Sequence, residues 1–338
     1  MKIIVDNKIP YIHEAVEQIA DEVVYLPGSG FTAGDVRDAD ALVIRTRTRC
    51  NRELLEGSKV KFIATATIGF DHIDVDYCDE AGIVWKNCPG CNAGSVEQYL
   101  HSVLLLLKRR KGVRLEESCL GIVGVGHVGS RIPEALGMRV LLNDPPRADR
   151  GETGFVDLSV LARECDIITF HTPLNRNGKY KTFHLADADF FAGLQRKPFI
   201  VNTSRGEVIE TLALLDALKT GRIRDAVIDT WENEPDIHPD LLQKVFLGTP
   251  HIAGYSADGK SNATRMALEE LCNFFHIQAD FKIVPPALPY MDYSSDPEEA
   301  FLQVYDPTRD SDALKRHPEE FEHLRGNYPL RREISFLP

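Results

Sequence analysis

Residues 121–132 have the sequence Gly-Ile-Val-Gly-Val-Gly-His-Val-Gly-Ser-Arg-Ile, and the rest of the predicted fold is arranged around them. The apolar run at 120–123 is typical of a buried parallel strand. Gly124, Gly126 and Gly129 have the G-x-G-x-x-G spacing of dinucleotide-binding turns. The first glycine allows a sharp turn, the second lets backbone N–H groups approach a pyrophosphate, and the third lets the next helix pack against the strand.

An acidic residue at the expected distance supports dinucleotide binding. Asp144 ends the next apolar run, at 140–142, where its carboxylate can accept hydrogen bonds from both ribose hydroxyls of the adenosine. Because its charge would repel a 2′-phosphate, we predict NAD rather than NADP, although Arg147 and Arg150 weaken that preference. Pro133 lies inside the expected helix after the glycines and predicts that this helix is kinked, short or late to begin.

The composition limits the classes of protein that fit the chain. Its 338 residues predict two domains with an appendage, and the net charge of −12 argues against a nucleic-acid partner while allowing a small anionic substrate. Seven scattered cysteines fit a reducing compartment, so we expect a cytoplasmic protein. Residues 1–6 are predicted to form a strand rather than a signal peptide, and no apolar run approaches the roughly 18 residues of a membrane span.

Short apolar runs alternate with amphipathic stretches, which predicts an α/β fold of two doubly wound, Rossmann-like lobes with parallel sheets. One lobe is expected from residues 1–92 and 253–284, and the cofactor lobe from residues 93–252. We expect the active site in the cleft between them, beyond the carboxyl ends of the strands. Residues 285–338 are too few to bury a core of their own and are expected to dock on another surface, such as a second subunit.

A Cys-Pro-Gly-Cys motif at 88–91 has more than one interpretation. A C-x-x-C pair can be redox-active or can supply half of a zinc site. Because the sequence has no second pair, we favour two cysteines in a turn before a helix and predict no metal site. Asn92 or Ser95 can cap that helix, and Gln98 would complete a capping box with Ser95. The basic cluster at 108–111 is predicted to be the solvated end of the helix.

Three polar residues from separate parts of the chain form a candidate catalytic group. His251 can accept a proton near neutral pH, Glu234 can hold its far ring nitrogen, and Arg205 can bind a carboxylate through its planar guanidinium. Beside a nicotinamide ring, this group suits hydride transfer from a 2-hydroxy acid. Taken singly, His251 and Glu234 could be ordinary turn residues. Arg205 could equally pair with Glu207 or Asp229.

Four sequence blocks resemble the D-isomer-specific 2-hydroxyacid dehydrogenase family. They are Gly-Val-Gly-His-Val-Gly at 124–129, Asn-Thr-Ser-Arg-Gly-Glu-Val-Ile at 202–209, Asp-Thr-Trp-Glu-Asn-Glu-Pro at 229–235 and Thr-Pro-His-Ile-Ala-Gly-Tyr at 249–255. Further blocks resemble one member of the family in particular, and they include 65–72, 89–93 and 143–151. The resemblance runs nearly end to end along the chain.

The resemblance implies that Arg205, Glu234 and His251 are catalytic, with His251 as the proton acceptor. The implied reaction is the NAD-dependent oxidation of 4-phospho-D-erythronate to its 2-oxo acid in pyridoxal 5′-phosphate biosynthesis. The implied cofactor-binding residues are Gly124, Gly126, His127, Val128, Gly129, Asp144, Thr172, Thr203, Asp229 and Gly254. The implied substrate-binding residues are Thr46, where the family often has serine, Thr67 and Tyr255. Residues 285–338 would be a shortened dimerisation domain of a homodimer.

Some alternatives stay open from the sequence. The chain could be another 2-hydroxyacid dehydrogenase, for example one for 3-phosphoglycerate, or a non-catalytic NAD-sensing corepressor of the same fold. The expected partner is a small phosphorylated 2-hydroxy acid, whose phosphate needs cations. Arg45 and Arg47 follow a strand of the first lobe, and we hypothesise that at least one of them reaches the phosphate. The alternative is that both are surface charges.

Overall fold

The computed structural model describes residues 1–132, 137–287 and 292–333, which form two compact units. Unit 1 contains residues 1–92 and 256–290, and unit 2 contains residues 93–255 and 291–338. The strands are β1 (Lys2–Asp6), β2 (Glu22–Leu26), β3 (Ala41–Ile44), β4 (Phe62–Thr65), β5 (Val84–Lys86), β6 (Cys119–Val123), β7 (Arg139–Asn143), β8 (Ile167–Phe170), β9 (Phe199–Asn202), β10 (Asp225–Ile228) and β11 (Leu247–Gly248). The helices are α1 (His13–Val16), α2 (Ala33–Val36), α3 (Arg52–Leu55), α4 (Val75–Ala81), α5 (Ala93–Lys111), α6 (Pro145–Asp149), α7 (Leu158–Glu164), α8 (Ala188–Ala192), α9 (Thr211–Lys219), α10 (Pro239–Lys244), α11 (Ala257–Phe275), α12 (Pro297–Val304), α13 (Thr308–Arg316) and α14 (Phe321–Gly326).

Unit 1 is built on a parallel sheet with the strand order β2-β1-β3-β4-β5. Alternate residues of β1 belong to different core clusters: Ile3 packs in the cluster that contains Leu268 of α11, whereas Ile4 packs in the cluster that contains Leu55 of α3 and Tyr77 of α4. Because successive side chains of a strand point to opposite faces, helices cover both faces of this sheet.

Unit 2 is built on a second parallel sheet, with the strand order β11-β10-β9-β8-β6-β7. Ile122 of β6 packs in the cluster of Leu104 from α5, and its neighbour Val123 packs in the cluster of Leu161 from α7 and Leu214 from α9. Both faces are again covered. The predicted α/β fold class, with two doubly wound parallel sheets, is confirmed.

The predicted capping box of α5 is wrong. The helix begins at Ala93, so Asn92, the other candidate, directly precedes it, whereas Ser95 lies inside its first turn. The Ser95 hydroxyl donates a hydrogen bond to Glu333 Oε1 at 2.6 Å, and the Gln98 amide donates one to the Arg332 carbonyl at 3.0 Å. These two side chains therefore bind the C-terminal segment of the chain.

The basic end of α5 faces acidic side chains as well as solvent. Lys108 Nζ lies 2.6 Å from Glu298 Oε1, and Arg109 forms ion pairs with Asp296 and Glu299. The three acidic residues are the N-cap and first turn of α12, where negative charge is favourable. The end of α5 is therefore not the purely solvated end that the sequence predicted, because its basic side chains pair with α12.

The described part of the C-terminal segment packs on unit 2 of its own chain. Phe301 and Tyr305 join the core cluster of α5, and Phe321 joins the cluster of α9. Arg331 is only 5% exposed, and its guanidinium donates hydrogen bonds to the carbonyls of Ile252 and Ala253, among others. The residues expected to dock on another surface thus form part of the core of unit 2.

The helix predicted between β6 and β7 falls partly on residues 133–136, which lie outside the described ranges. The described residues of this connection form consecutive turns after Gly126 and contain no α-helix. Pro133, which was predicted to kink or shorten the helix, lies outside the described residues. Strand β11 is short and spans Leu247–Gly248, because α10 extends to Lys244 and Val245 is its C-cap residue.

All seven cysteines are free and buried. In the 88–91 motif, the Cys88 thiol donates to the carbonyls of Thr65 at 3.3 Å and Ala263 at 3.2 Å, which is a structural role. Within the described ranges, no three His, Cys, Asp or Glu residues are arranged to hold a metal ion. None of the described helices has the length and hydrophobicity that a membrane span requires.

Candidate active site

Four predicted cofactor-binding residues follow the carboxyl ends of strands in unit 2. Gly124 follows β6, Thr172 follows β8, Thr203 follows β9 and Asp229 follows β10. The strand order reverses between β6 and β8, which is where the ligand crevice of a doubly wound sheet lies. Gly124 has a φ of +87°, and a Cβ atom on it would lie 2.8 Å from Thr172 Cγ2. The loops after β6 and β8 therefore meet at this point.

The geometry of these loops fits a dinucleotide. A Cβ atom on Gly126 would meet no described heavy atom within 4 Å, so there is open space beside the turn. Thr172 Oγ1 is buried and has no hydrogen-bond partner in the described parts of the chain, which leaves a polar atom for a ligand. Asp144 is oriented at the end of β7, because it accepts hydrogen bonds from the N–H groups of Val125 at 2.8 Å and Arg147 at 3.1 Å.

The remaining predicted cofactor residues after β6 and β9 also have defined positions. His127 is exposed and Val128 is half-buried in the turns that follow the glycines. Thr203 Oγ1 lies 3.1 Å from His171 Nδ1, and the other nitrogen of His171 lies 2.9 Å from Thr169 Oγ1. Burial lowers the pKa of His171 to about 3, so its ring is neutral at physiological pH. A neutral ring between two hydroxyls fixes the orientation of Thr203.

His251 and Glu234 form a hydrogen-bonded pair. Glu234 Oε2 lies 2.8 Å from His251 Nδ1, and Glu234 Oε1 accepts a hydrogen bond from the Trp231 N–H at 2.8 Å. The Trp231 bond orients the carboxylate, and the carboxylate in turn orients the imidazole. Because Nδ1 is engaged, Nε2 is the nitrogen that can take a proton from a ligand.

The environment of Glu234 keeps this residue ionised. Burial raises the pKa of its carboxyl. The hydrogen bond and charge of His251, the N–H of Trp231 and the charge of Arg325 all lower that pKa, and together they outweigh burial. The pKa of Glu234 therefore lies below its ordinary value. An ionised carboxylate on Nδ1 stabilises the imidazolium that would form when His251 accepts a proton.

Asp229 shapes the loop that carries His251. It is completely buried, and its carboxylate accepts hydrogen bonds from the Thr249 hydroxyl at 2.6 Å, the Ile252 N–H at 2.8 Å and the Ala253 N–H at 3.0 Å. His251 has a φ of +56°, in the left-handed region that residues with a side chain seldom adopt. These bonds hold the loop in that conformation, and the predicted contact of Asp229 with the cofactor remains a prediction.

Arg205 lies beside the loop that carries Glu234. A Cβ atom on the adjacent Gly206 would lie 1.9 Å from the carbonyl carbon of Trp231, so the two loops are in direct contact. The partners that the sequence offered as alternatives bind other groups: Glu207 pairs with Arg176 at 3.1 Å, and Asp229 accepts the hydrogen bonds just described. The Arg205 guanidinium donates a hydrogen bond to the Ser204 carbonyl at 2.8 Å.

Arg325 of α14 is a residue that the sequence analysis did not identify. Its Nη1 lies 3.8 Å from Glu234 Oε2, and its Nε donates a hydrogen bond to the Tyr255 hydroxyl at 3.1 Å. Tyr255 is itself a predicted substrate-binding residue, and it follows Gly254 in the loop after His251. No motif surrounds Arg325, so the sequence contains no signal that would have placed it here.

The predicted substrate residues Thr46 and Thr67 belong to unit 1. Thr46 is exposed in the turn after β3, and the Thr67 hydroxyl donates to the Gly69 carbonyl at 2.8 Å. Arg45 Nε lies 3.1 Å from the buried Asp6 carboxylate. On α11, burial and then the charge of Arg45 lower the pKa of Lys260, so a second cation lies near Arg45.

Comparison of the chain with known proteins identifies its family. Residues 97–253 match the model of the D-isomer specific 2-hydroxyacid dehydrogenase NAD binding domain, and residues 287–338 match a domain of unknown function. An erythronate-4-phosphate dehydrogenase of Bacteroides fragilis is 63% identical, covering 98% of this chain and 97% of the relative. One of Photorhabdus laumondii is 44% identical, covering 100% and 94%. The chain belongs to the erythronate-4-phosphate dehydrogenase family. It is an NAD-dependent dehydrogenase.

Solved structures share the fold of this family member. D-lactate dehydrogenase from Aquifex aeolicus, complexed with NAD and lactic acid, is 24% identical with a TM-score of 0.68, covering 82% of this chain and 96% of that one. The NAD+-bound 3-phosphoglycerate dehydrogenase of Entamoeba histolytica is 27% identical with a TM-score of 0.67, covering 82% and 95%.

Proposed function

We propose that the chain oxidises 4-phospho-D-erythronate at its C2 hydroxyl, with NAD as the hydride acceptor, to give (R)-3-hydroxy-2-oxo-4-phosphooxybutanoate in pyridoxal 5′-phosphate biosynthesis. The relatives at 42–63% identity bear the name of this activity. The observation that carries the chemistry is the pair of Glu234 and His251, with 2.8 Å between Oε2 and Nδ1. A base of this kind is what loss of the hydroxyl proton requires.

In this proposal, Nε2 of His251 accepts the proton of the C2 hydroxyl. Glu234 holds the ring in the orientation that presents Nε2 and stabilises the positive charge that develops on it. Its ionised state supports that role, because a neutral carboxyl would not balance the imidazolium. Arg205 binds the C1 carboxylate, since a guanidinium offers a planar pair of donors that matches a carboxylate.

NAD, when bound, supplies the acceptor for the hydride that leaves C2. Gly124, Gly126 and Gly129 would hold its pyrophosphate, with His127 and Val128 in the same turn, and Asp144 would hold the adenosine ribose. Thr172, Thr203, Asp229 and Gly254 complete the proposed cofactor set. The buried unpaired hydroxyl of Thr172 and the open space at Gly126 support this assignment.

Thr46, Thr67 and Tyr255 are proposed substrate contacts, and Arg45 and Arg47 are proposed ligands of the substrate phosphate. The side chain of Arg45 is one-third exposed, and Lys260 lies near it, while the buried Asp6 carboxylate offsets part of the positive charge. The two cations and one carboxylate leave a net positive charge, which favours an anion there. The test is the KM for the phosphorylated substrate, measured for Arg45→Ala and for Arg47→Ala. If neither variant raises that KM, these arginines do not bind the phosphate.

The proposal is tested by NADH formation at 340 nm with 4-phospho-D-erythronate. His251→Ala should lower kcat by about 10²-fold or more, because general-base catalysis typically contributes that much. His317→Ala is the matched control, since Nδ1 of His317 also lies near a carboxylate, 3.3 Å from Glu319 Oε1, but this pair is exposed. A near-normal kcat in His251→Ala would refute the role of His251. A higher kcat/KM with 3-phosphoglycerate would refute the substrate.

We also propose that the protein is a cytoplasmic homodimer joined through residues 285–338. Seven free cysteines support a reducing compartment. Leu330 is half exposed near the end of the described chain, which supplies apolar surface for a partner subunit. Light scattering should give twice the chain mass of 37.9 kDa, and a single-chain mass would reject the dimer.

A further inference from the structure

Helix α14 brings one charged side chain of the C-terminal segment to the catalytic residues. The helix is held on unit 2 by Phe321, which is 1% exposed in the cluster that also contains Leu314 of α13 and Leu214 of α9. Arg325 lies one turn after Phe321, and only 22% of its side chain is exposed. Its position is therefore set by core packing and not by a mobile surface contact.

The guanidinium of Arg325 joins two residues that have proposed roles in the reaction. Nη1 lies 3.8 Å from Glu234 Oε2, the same oxygen that lies 2.8 Å from His251 Nδ1. Nε donates a hydrogen bond to the Tyr255 hydroxyl at 3.1 Å. A second carboxylate, that of Glu322, lies 3.9 Å from Nη1 and offsets part of its charge.

We propose that Arg325 is a positioning residue, which holds the Glu234 carboxylate and the Tyr255 hydroxyl in place for His251, and that the C-terminal segment is thereby part of the active site. This inference rests on the proposed function, since it concerns the same catalytic pair. It assigns a role in catalysis to a segment that matches only a domain of unknown function.

An arginine suits this position better than a lysine would. The planar fork of a guanidinium can donate to the Tyr255 hydroxyl through Nε while Nη1 faces the Glu234 carboxylate, whereas an ammonium is a single point charge. Both partners are then fixed by one rigid group. Loss of the fork should therefore weaken catalysis even when the positive charge is kept.

The charge of Arg325 also acts on the protonation of the catalytic pair. Among the described residues, the charged groups that act on the pair are Arg325, beside Glu234, and Asp229, whose carboxyl interacts with His251. The Tyr255 hydroxyl and the Glu322 carboxylate contact Arg325 and act on the pair through it. A cation beside the pair disfavours its protonated state. Because strongly interacting groups titrate as a unit, removing the cation should move the acid limb of the kcat profile to higher pH by about half a unit to one unit.

The test compares Arg325→Gln and Arg325→Lys with the control Arg316→Gln, an exposed arginine at the end of α13 in the same segment. We expect Arg325→Gln to lower kcat by about tenfold or more, to change the KM for NAD little, and to move the acid limb upward. Arg325→Lys should restore the acid limb but not the full kcat. Arg316→Gln should match the wild type in every respect.

The proposal is overturned if Arg325→Gln keeps kcat within twofold of the wild type and its pH profile superimposes. If that variant does not fold, Arg325→Lys decides, because a wild-type kcat there contradicts the need for a fork. NMR titration of the His251 imidazole without substrate separates this inference from the proposed function. An inactive wild type would reject the proposed substrate, whereas identical titrations of the wild type and Arg325→Gln would reject the role of Arg325.

Discussion

At the scale of single residues, Gly126 and Gly129 of the glycine motif lack side chains for different reasons. A Cβ atom on Gly129 would lie 2.1 Å from the Gly124 carbonyl oxygen, whereas one on Gly126 would meet no described atom within 4 Å. We expect Gly126→Ala to leave the melting temperature unchanged and to weaken NAD binding about tenfold or more, because the added methyl occupies the proposed pyrophosphate space. Thermal melts and calorimetric NAD titrations measure the two effects.

Gly129→Ala should instead destabilise the free protein by about 1–3 kcal/mol, because the backbone of the turn must move. Gly193→Ala is the control for both variants, since the nearest atom to its Cβ would be the Phe190 carbonyl oxygen at an ordinary 3.5 Å. Wild-type NAD affinity in Gly126→Ala would place the pyrophosphate elsewhere.

The side chains of the candidate site were only partly predictable from the sequence. The contact of Glu234 with His251 was foreseen because both residues follow strand ends, where a doubly wound sheet gathers its ligand contacts, and the 2.8 Å distance shows that contact. Their catalytic roles stay predictions. Arg325 could not be foreseen, because it approaches the site through the packing of Phe321 and not through a strand end. A contact between side chains that are 70 or more residues apart in the sequence produces no periodic pattern in either local segment.

At the scale of elements, helix α13 carries a carboxyl whose protonation depends on the docking of the C-terminal segment. Asp310 accepts hydrogen bonds from the hydroxyls of Tyr328 at 2.9 Å and Tyr305 at 3.3 Å. Burial nevertheless raises its pKa from 3.8 to about 6. The folded protein therefore binds a proton at pH values where the unfolded chain has lost it. This contribution to stability is complete below about pH 4 and is lost as the pH rises through about 6.

We predict that Asp310→Asn gains stability relative to the wild type as the pH rises. Between pH 5 and pH 8 the difference in the free energy of unfolding should move in favour of the variant by about 1–2 kcal/mol, because the amide does not ionise. Denaturant titrations at several pH values measure this change. Asp312→Asn, at an exposed position of the same helix, is the control and should show no such trend. A constant difference for Asp310→Asn would mean that the carboxyl is not perturbed.

Strands were more predictable from the sequence than the contacts of helices. The buried strands β3, β4 and β9 are short apolar runs, and the structure has them where those runs occur. For α5, the spacing of Ser95 and Gln98 suggested a capping box, but both side chains bind residues 332–333 instead. A local motif cannot reveal a partner that arrives from the other end of the chain.

At the scale of the whole molecule, strand order is a property that local sequence patterns do not contain. Apolar runs predicted two parallel sheets, but the orders β2-β1-β3-β4-β5 and β11-β10-β9-β8-β6-β7 come from the structure. The order of the second sheet places the reversal beside Gly124 and Thr172. Because all strands of this sheet are parallel, the glycine turn lies at the same edge as the loops of Thr203, Asp229 and His251, and the reversal determines where along that edge a ligand crevice can form.

The burial of the seven cysteines predicts how the thiols of the whole chain react. All seven are free and buried in the cores of the two units. Burial together with the charges of Asp74 and Asp79 raises the pKa of Cys78 to about 11, whereas the hydrogen bond with Cys165 lowers the pKa of the Cys119 thiol. Because all seven thiols are buried, access of the reagent limits their reaction in the folded protein. We expect the native protein to show no fast-reacting thiol with Ellman's reagent and the unfolded protein to show seven.

Lys59→Cys is the positive control, because the side chain of Lys59 is 71% exposed and the variant should gain one fast thiol. Since the native chain has no disulfide, reductant should leave its melting temperature unchanged. A fast thiol in the wild type would show that a core opens, and limited labelling followed by mass spectrometry would identify the unit. Fewer than seven thiols in the unfolded chain, restored by reductant, would instead show a disulfide and would contradict a protein made in a reducing compartment.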